Sequence, residues 1–408
     1  MIIRTLNKRQ LLYILFLIPF VRLEAFNYIG DVSVFYDLSK ALVFFLIIFL
    51  EMTGYLSTRK APDRFIFIIV FFFFWSLIAS ITHNVSVIST LINYITMMSL
   101  PLLLDYVFKA HEIKDFLVGA RFYFKTLIVL HFILLLIYPD GIYQDTSQRV
   151  GFIYDTSTGV HLLGKANATT PILMAMITVI FLSSYVSNTK LSKSDKLCVF
   201  LAWLSIVIQF SATGVVGLIV FFILMAFFIG KKRTNGVSKS VNFNFYLILA
   251  MLGTVAVCFF NIQYYFSSFL ETVLNRDITL SNRTNVWNMA RLYIVSNYNI
   301  FDYLIGEGLT SYSTLLFNGR YAHSHNQFLD IFIKSGLVGL MLYITLFIIS
   351  LHVMNRQYKK MQKKEIAIIS ATVISFVIMF ITEVYATPLI MMILYLGYRF
   401  VDLTQSRR

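Results

Sequence analysis

Two histidines near an arginine are the residues of this chain whose types and spacing most directly suggest chemistry. The stretch NGRYAHSHNQFLDIF contains Arg320, His323, His325 and Asn326. A neutral imidazole accepts a proton near pH 7, so His325 is the first candidate for a general base and His323 the second. The Asn326 amide is suited to orient a ring or a sugar hydroxyl. No third ligand stands at a recognisable spacing, so the sequence predicts no metal site here.

Arginines outside the apolar runs form a second group of candidate functional residues. The planar guanidinium binds phosphate through paired hydrogen bonds and stays charged, so several arginines together predict a pyrophosphate clamp. The alternative is that they reach lipid headgroups or pair with nearby carboxylates, such as Asp277, Asp302 and Glu307. The arginines concerned are Arg149, Arg276, Arg283, Arg291 and Arg320.

The elements that position these residues are membrane helices. Of the 408 residues 58% are hydrophobic and 13% charged, and the mean hydropathy is +0.76, which excludes an ordinary soluble protein. Apolar runs long enough to cross roughly 30 Å of hydrocarbon must be helical, because lipid offers the backbone no hydrogen-bond partners. We therefore expect an all-α integral membrane protein with about twelve transmembrane helices. The predicted spans are 10–25, 37–56, 64–83, 86–107, 118–138, 162–185, 196–211, 214–230, 244–264, 328–351, 365–384 and 387–402.

The distribution of lysine and arginine predicts the orientation of these spans. Basic residues cluster at both termini and in every second connection, which places those segments and both termini in the cytoplasm. The net charge of +14 mostly reflects this bias and contact with anionic lipid, and we expect no nucleic-acid partner. Cys198 and Cys258 lie within spans and are expected to be buried thiols.

Two longer segments, 139–161 and 265–327, fall on the outer side under this orientation, and function is expected there. Residues 1–264 would carry nine helices and the smaller outer loop, 265–327 the large periplasmic loop with the site, and 328–408 the last three helices. Within the large loop, SNRTNVWNMARLYIV has helical apolar spacing, with Ser281 or Asn282 as N-cap. GEGLTSYS is predicted to form a turn. Glu383, an intramembrane carboxylate, is a functional candidate, although pairing with an arginine is an equal alternative.

Several of these motifs resemble the signature of the O-antigen ligase and polymerase superfamily. Its members show an Arg-x-x-x-Trp element, a Gly-x-Gly turn, and a His-Asn pair opening a helix with a Gly-x-x-Gly segment. The corresponding residues here are Arg283 and Trp287, Gly306 and Gly308, His325 and Asn326, and Gly336 and Gly339. RVGFIYD and GKANATTPI resemble the family's arginine-containing outer loop and Asn-bearing helix start, through Arg149, Gly164 and Asn167.

The sequence departs from the family pattern after the seventh span. Many relatives read Ser-Arg followed by small residues, whereas this chain has FSATGVVGL, with Gly214 where the arginine would fall. One phosphate-binding arginine of the family pattern is therefore absent or replaced, and Lys165 or Arg149 would have to compensate.

The resemblance implies a metal-independent membrane glycosyltransferase of GT-C-type architecture that needs no cofactor. Such an enzyme takes glycan from an undecaprenyl-pyrophosphate-linked oligosaccharide and transfers it to a sugar hydroxyl at the outer face of the bacterial inner membrane. A chain-length regulator protein is a further expected partner. The expected site comprises His325 and His323 for catalysis, with substrate contacts from Arg283, Arg149, Arg291, Arg320, Asn326, Asn167 and Glu383.

The superfamily divides into ligases, which move finished glycan to a lipid A core, and polymerases, which extend the glycan. We favour the polymerase, because polymerases more often lack parts of the ligase pattern, as this chain does. A different class, a polysaccharide flippase or secondary transporter, would also have about twelve helices. Transporters concentrate polar groups near the bilayer midplane, whereas the polar groups here concentrate in outer loops.

The charge bias predicts which loops an impermeant thiol reagent reaches. Single cysteines introduced as Asp145→Cys and Thr310→Cys should be labelled from outside the cell, and Asn235→Cys and Lys360→Cys should be labelled only after permeabilisation. Mass-shift labelling with a maleimide reads the result, and the wild-type chain provides the background from the native cysteines. Protection of position 310 in intact cells would remove the proposed outer site.

Overall fold

Helices make up most of the chain in the computed structural model. The structure describes residues 6–21, 23–58, 62–145, 158–209, 211–230, 242–266, 283–308, 323–361, 364–385 and 387–400. The α-helices in these ranges are α1 Lys8–Leu17, α2 Gly30–Thr58, α3 Arg64–Thr82, α4 Val87–Lys109, α5 Ile113–Ile137, α6 Ala166–Val186, α7 Lys193–Ile208, α8 Ala212–Gly230, α9 Phe243–Cys258, α10 Arg283–Asn297, α11 Ile300–Ile305, α12 Gln327–Met361, α13 Lys364–Met379 and α14 Pro388–Tyr398. Two short strands, β1 Tyr143–Asp145 and β2 Thr158–Val160, pair antiparallel.

Each predicted span contains a helix, but several helices are shorter than predicted. In the described ranges seven helices are long and apolar enough to cross a bilayer: α2, α3, α4, α5, α6, α8 and α12. The first span is helical only to Leu17, shortly before Pro19, and a 3-10 helix follows at Glu24–Tyr28. The ninth span ends early, at Cys258. The described residues thus form a predominantly helical fold that is consistent with an integral membrane protein, and the full count of twelve crossings stays a prediction.

The helices differ sharply in how much of their surface is buried. Of the most apolar window of α6 89% is buried, against 11% for α2. Helix α6 packs against α5, α7, α8, α13 and α14, so its all-round apolar surface is satisfied by protein. Helix α2 instead presents large apolar side chains such as Phe35, Phe45 and Phe49 at the surface, as expected for a helix that faces lipid. The centre of the molecule is therefore the α6, α13 and α14 group.

Helix α12 is interrupted at Gly336, and the turn that follows α11 binds at this interruption. Gly336 has φ +63° and ψ −168°, outside the helical region, so the carbonyls just before it lose their normal partners. The turn after α11 supplies replacements, because Glu307 N–H donates to the Ile333 carbonyl at 2.8 Å and Gly308 N–H to the Lys334 carbonyl at 3.0 Å. The predicted GEG turn is thus bound to α12 by two main-chain hydrogen bonds, and this pair of bonds is called the clamp below.

Glycine is required on both sides of this clamp. Gly306 and Gly308 have φ +78° and +83°, in the left-handed region that favours glycine. A Cβ at Gly306 would run into the backbone of Gly336, and a Cβ at Gly336 into the backbone at Leu304. These two segments of the chain therefore approach so closely that only glycine fits at Gly306 and Gly336.

The predicted helix of the outer loop is present as α10. Its apolar side packs on α9 and α12, in a small core that contains Cys258, Val286, Trp287, Ala290, Ile294, Leu329 and Ile333. The buried Trp287 ring donates its Nε1–H to the Ser324 carbonyl at 2.9 Å. The proposed caps Ser281 and Asn282 lie outside the described residues. Through Trp287, the Arg-x-x-x-Trp element thus connects the start of α10 to Ser324, which lies between the two histidines.

The Gly336 break predicts a large stability difference between two glycine substitutions. Gly336→Ala adds a Cβ that meets backbone at a left-handed φ, and should destabilise the protein by at least about 2 kcal/mol. The matched control is Gly54→Ala in α2, where the nearest atom to a new Cβ is Tyr106 Cδ2 at 3.5 Å. That control should be neutral or stabilising by about 0.5–1 kcal/mol. Melting in detergent, followed by fluorescence-detected size exclusion, measures both, and equal melting temperatures would contradict the role of the break.

Candidate active site

The candidate site is built around the carboxylate of Glu383, in the short segment between α13 and α14. Its side chain is buried, with a relative exposure of 3%. The Asn167 amide donates to Oε1 at 2.6 Å, and the Arg283 guanidinium forms an ion pair with the same oxygen. Nδ1 of His325 lies 3.5 Å from Oε2. One carboxylate therefore contacts three of the residues predicted from sequence.

Helix ends bring these residues together. Asn167 lies in the first turn of α6, Arg283 is the first described residue of α10, and His325 lies two residues before the start of α12. Glu383 follows the end of α13. Under the predicted topology all four positions are at outer ends of helices, so one orientation accounts for their convergence.

His325 is held in an uncommon backbone conformation. Its φ is +51°, in the left-handed region, which costs energy for a residue other than glycine. His325 N–H donates to Nδ1 of His323 at 3.2 Å, and the two ring centroids are 4.3 Å apart. With Nδ1 of His325 facing Glu383, the carboxylate favours the tautomer with hydrogen on Nδ1. The Nε2 lone pair is then left to accept a proton.

The two histidines differ in their fitness as a base. Burial lowers the pKa of His323 to about 4, and the neighbouring His325 lowers it further. A group with so low a pKa is a weak proton acceptor at neutral pH, and its Nδ1 already accepts the His325 N–H. His325 therefore stays the first candidate for the base and His323 the second, and this order stays a prediction.

The surroundings keep Glu383 ionised. Burial raises the pKa of its carboxyl, but His325 and the charge of Arg283 outweigh burial and hold that pKa below its ordinary value. The ionised carboxylate can fix the imidazole ring and stabilise the imidazolium that forms when the ring takes a proton.

Asn326 lies apart from the carboxylate, in a structural position. Its Oδ1 accepts Leu329 N–H at 2.9 Å, which caps α12, and its Nδ2 donates to the Ile381 carbonyl at 2.8 Å. Nδ2 also lies 3.2 Å from the Thr254 hydroxyl. The side chain is fully buried. A sugar contact for Asn326 stays a prediction, and its amide already has protein partners.

The other predicted arginines do not join this cluster in the described ranges. Arg291 donates to the Phe259 carbonyl at 2.9 Å, about two helical turns from Arg283 on α10. Arg149, Arg276 and Arg320 lie outside the described residues. Asp302, one suggested arginine partner, instead lies 3.4 Å from Nε2 of His83.

The sequence interpretation missed Ser211. Its hydroxyl donates to Oδ1 of Asn167, which extends the chain of contacts from Glu383 to the start of α8, and Gly214 N–H donates to Ser211 Oγ at 3.1 Å. A Cβ at Gly214 would meet the Thr170 hydroxyl, so an arginine does not fit there unless the Thr170 side chain moves. A serine three residues before a helical N–H is a general capping signal, but it did not indicate contact with Asn167.

The fold brings a third possible metal ligand to the two histidines, which sequence spacing did not indicate, and the absence of a metal site stays a prediction. Ligand atoms of His323, His325 and Glu383 lie within 4.8 Å of one another, and such a donor set suits zinc. The third ligand escaped the spacing argument because it lies in a different helix connection. The Arg283 guanidinium on the same carboxylate places positive charge beside that position, which disfavours a bound cation.

The low pKa of His323 predicts how stability varies with pH. An unfolded histidine titrates near 6.5, so between pH 6.5 and about 4 the unfolded state binds the proton that the folded state excludes. The stabilising contribution is complete above pH 6.5 and is lost on acidification. The melting temperature of His323→Gln should therefore fall less than that of wild type between pH 7 and 5, whereas His352→Gln, at an exposed position of α12, should follow wild type. Identical slopes for wild type and His323→Gln would contradict the assignment.

Comparison with known proteins agrees with the motifs. Residues 197–344 match the family model described as O-antigen ligase. This range includes Ser211, Arg283, Trp287, the GEG turn, both site histidines and the Gly336 break. A search of curated proteins found no match. Residues 197–344 thus carry an O-antigen ligase family domain, which supports the resemblance of this chain to the O-antigen ligase/polymerase superfamily.

Proposed function

We propose that the protein is a polysaccharide polymerase of the bacterial inner membrane. It transfers glycan from an undecaprenyl-pyrophosphate carrier to a sugar hydroxyl of another lipid-linked repeat unit at the outer face. The observation that carries this proposal is that Glu383 contacts both a candidate base, His325, and a candidate phosphate ligand, Arg283. The family match and the seven apolar spans support a lipid-linked substrate and a membrane setting.

The proposed reaction needs one proton acceptor and one stabilised leaving group. The acceptor hydroxyl loses its proton to Nε2 of His325 as its oxygen attacks the anomeric carbon of the donor sugar. The bond from that carbon to the pyrophosphate oxygen breaks, and its electron pair leaves with the undecaprenyl pyrophosphate. A glycosidic bond replaces the sugar–phosphate bond. Glu383 stabilises the imidazolium until the proton passes to solvent.

Arg283 can serve both Glu383 and the leaving group. The guanidinium has five N–H donors in a planar fork, and the described contacts use one of its nitrogens for Glu383. The remaining donors can bind the pyrophosphate, whose charge grows as the bond breaks. Arg149, Arg291 and Arg320 remain proposed supporting ligands, and charge stabilisation by arginine would need no divalent metal.

The proposed topology places this chemistry outside the cytoplasm. Both termini are cytoplasmic, the outer loops are 139–161 and 265–327, and the last three helices lie in 328–408. Asn167, Arg283, His325 and Glu383 then all face the outer compartment, where a lipid-linked glycan can reach them.

The ligase is the second candidate, because the matched family model is described as O-antigen ligase. A ligase would use the same base and the same leaving group, so the geometry at Glu383 serves both reactions. The departure at Gly214 favours the polymerase, since a family-pattern arginine is absent there and Ser211 contacts Asn167 instead. Only the acceptor distinguishes the two reactions.

A reconstituted assay with two acceptors tests the proposal. The full chain in vesicles should lengthen a lipid-linked repeat unit and leave lipid A core unmodified. His325→Ala should reduce the rate about a hundredfold to ten-thousandfold, because a positioned base is lost. Donor binding and protein yield should stay near wild type. Gel separation of labelled glycolipids gives chain length and rate.

The matched control is His323→Ala, which removes the adjacent imidazole and should have the milder effect. Transfer to lipid A core without chain extension would establish the ligase instead. Wild-type rates in both variants would exclude a histidine base, and Glu383 or Asp155 would be examined next. Asp155 lies outside the described residues.

A further inference from the structure

A cavity beside the Glu383 cluster has no part in the chemistry proposed above. Its volume is about 390 Å³, and it lies between α2, α3, α4, α12 and α14. Sites for small molecules have volumes of roughly 300–1,000 Å³, so this cavity can hold a ligand of the size of one sugar unit. Under the predicted topology its lining residues lie in the outer halves of these helices.

The cavity shares a wall with the candidate site. Val384 and Tyr385, which directly follow Glu383, line it, and so does Gln327, two residues after His325. Tyr385 N–H donates to Oε1 of Gln327 at 2.7 Å, so the two lining segments are joined. His325 and Glu383 do not line the cavity themselves, so a group bound there would lie behind the segments that carry them, one sugar unit or more from the candidate base.

The charges in the lining are balanced. Lys40 lies 2.7 Å from Asp37 on α2, and Lys334 lies 2.7 Å from Asp330 on α12. Because each lysine in the lining is paired with a carboxylate, the lining carries no net positive charge for a pyrophosphate, and its ion pairs disfavour an acyl chain. A neutral ligand with many hydroxyls suits such a lining, because each hydroxyl donates and accepts hydrogen bonds.

Uncharged groups in the lining point to the same class of ligand. On α4, Asn93 and Thr96 line the cavity, and Asn93 is exposed. Phe72, Tyr94 and Tyr343 add aromatic walls. Polar groups that fix hydroxyls beside flat apolar surfaces are what a sugar ring requires.

We propose that this cavity binds a neutral sugar ring of the glycan. The inference rests on the proposed function, and of the two glycans in that reaction it assigns the cavity to the acceptor. The acceptor hydroxyl must reach His325, and the lining begins two residues from this base. The donor pyrophosphate is left to Arg283, which does not line the cavity.

Thr96 and Thr90 offer a matched pair for the test. Both lie on α4, and each hydroxyl donates to the carbonyl four residues earlier, Ile92 at 2.8 Å and Ser86 at 2.9 Å. Only Thr96 lines the cavity. Thr96→Val and Asn93→Leu each remove one potential bond to a sugar hydroxyl, and Thr90→Val makes the same chemical change elsewhere on the helix.

Binding is measured first, without turnover. Saturation-transfer NMR on the full chain in detergent uses free hexoses, N-acetylhexosamines and 6-deoxyhexoses as probes. At least one probe should bind the wild type and Thr90→Val equally. Thr96→Val and Asn93→Leu should weaken this binding about three- to tenfold, as expected for one neutral hydrogen bond.

The reconstituted assay then identifies the source of the sugar. A three- to tenfold rise in the acceptor KM with kcat unchanged supports the acceptor assignment, and a rise in the donor KM alone supports sugar binding but overturns that assignment. If Thr96→Val and Asn93→Leu match Thr90→Val in probe binding and both KM values, the cavity binds no sugar. A wild type without transferase activity would overturn the proposed function, whereas the NMR result would still decide whether the cavity binds sugar.

Discussion

The ion pair and hydrogen bonds of one buried carboxylate organise the outer side of this protein. Glu383 connects the start of α6, the start of α10 and the segment before α12. A buried charge is stable only while its partners are present, and removal of one partner typically costs about 3–5 kcal/mol. The segments must therefore converge for the chain to fold, so a folded molecule already holds His325 in its place beside the carboxylate.

The opposite end of the helix bundle has a separate network of charged side chains. Lys109 lies 2.8 Å from Glu51 and 2.7 Å from Asp105, and Arg399 pairs with Asp63. The Tyr395 hydroxyl donates to Asp105 at 2.7 Å. These groups join α2, α4 and α14 at their predicted inner ends. The apolar layer thus lies between two polar layers, and each layer fixes the relative positions of helix ends that packing alone would leave free to slide.

Hydropathy predicted where the helices are, because an apolar run in lipid has no alternative to helix. Hydropathy misplaced some of their ends. Helix α1 ends at Leu17, shortly before Pro19, and α9 ends at Cys258, whereas a hydropathy window averages over such single positions. The residue types of the candidate site were also predicted. Their arrangement was not, because Asn167 and Glu383 are 216 positions apart. Ser211, the capping role of Asn326 and the cavity all depend on which helices are neighbours, and composition does not encode that.

The clamp between the GEG turn and the break at Gly336 also bears on how such enzymes diversify. Its hydrogen bonds are made by main-chain atoms at 307, 308, 333 and 334, so most side-chain replacements in the outer loop leave them intact. The segment between Gly308 and His323 begins at this clamp and ends beside Trp287, which holds the Ser324 carbonyl. With both ends fixed, this segment can change in length and sequence at small entropic cost. Under the proposed function, a change of glycan would then require exchange of this one segment, while the candidate site residues keep their positions.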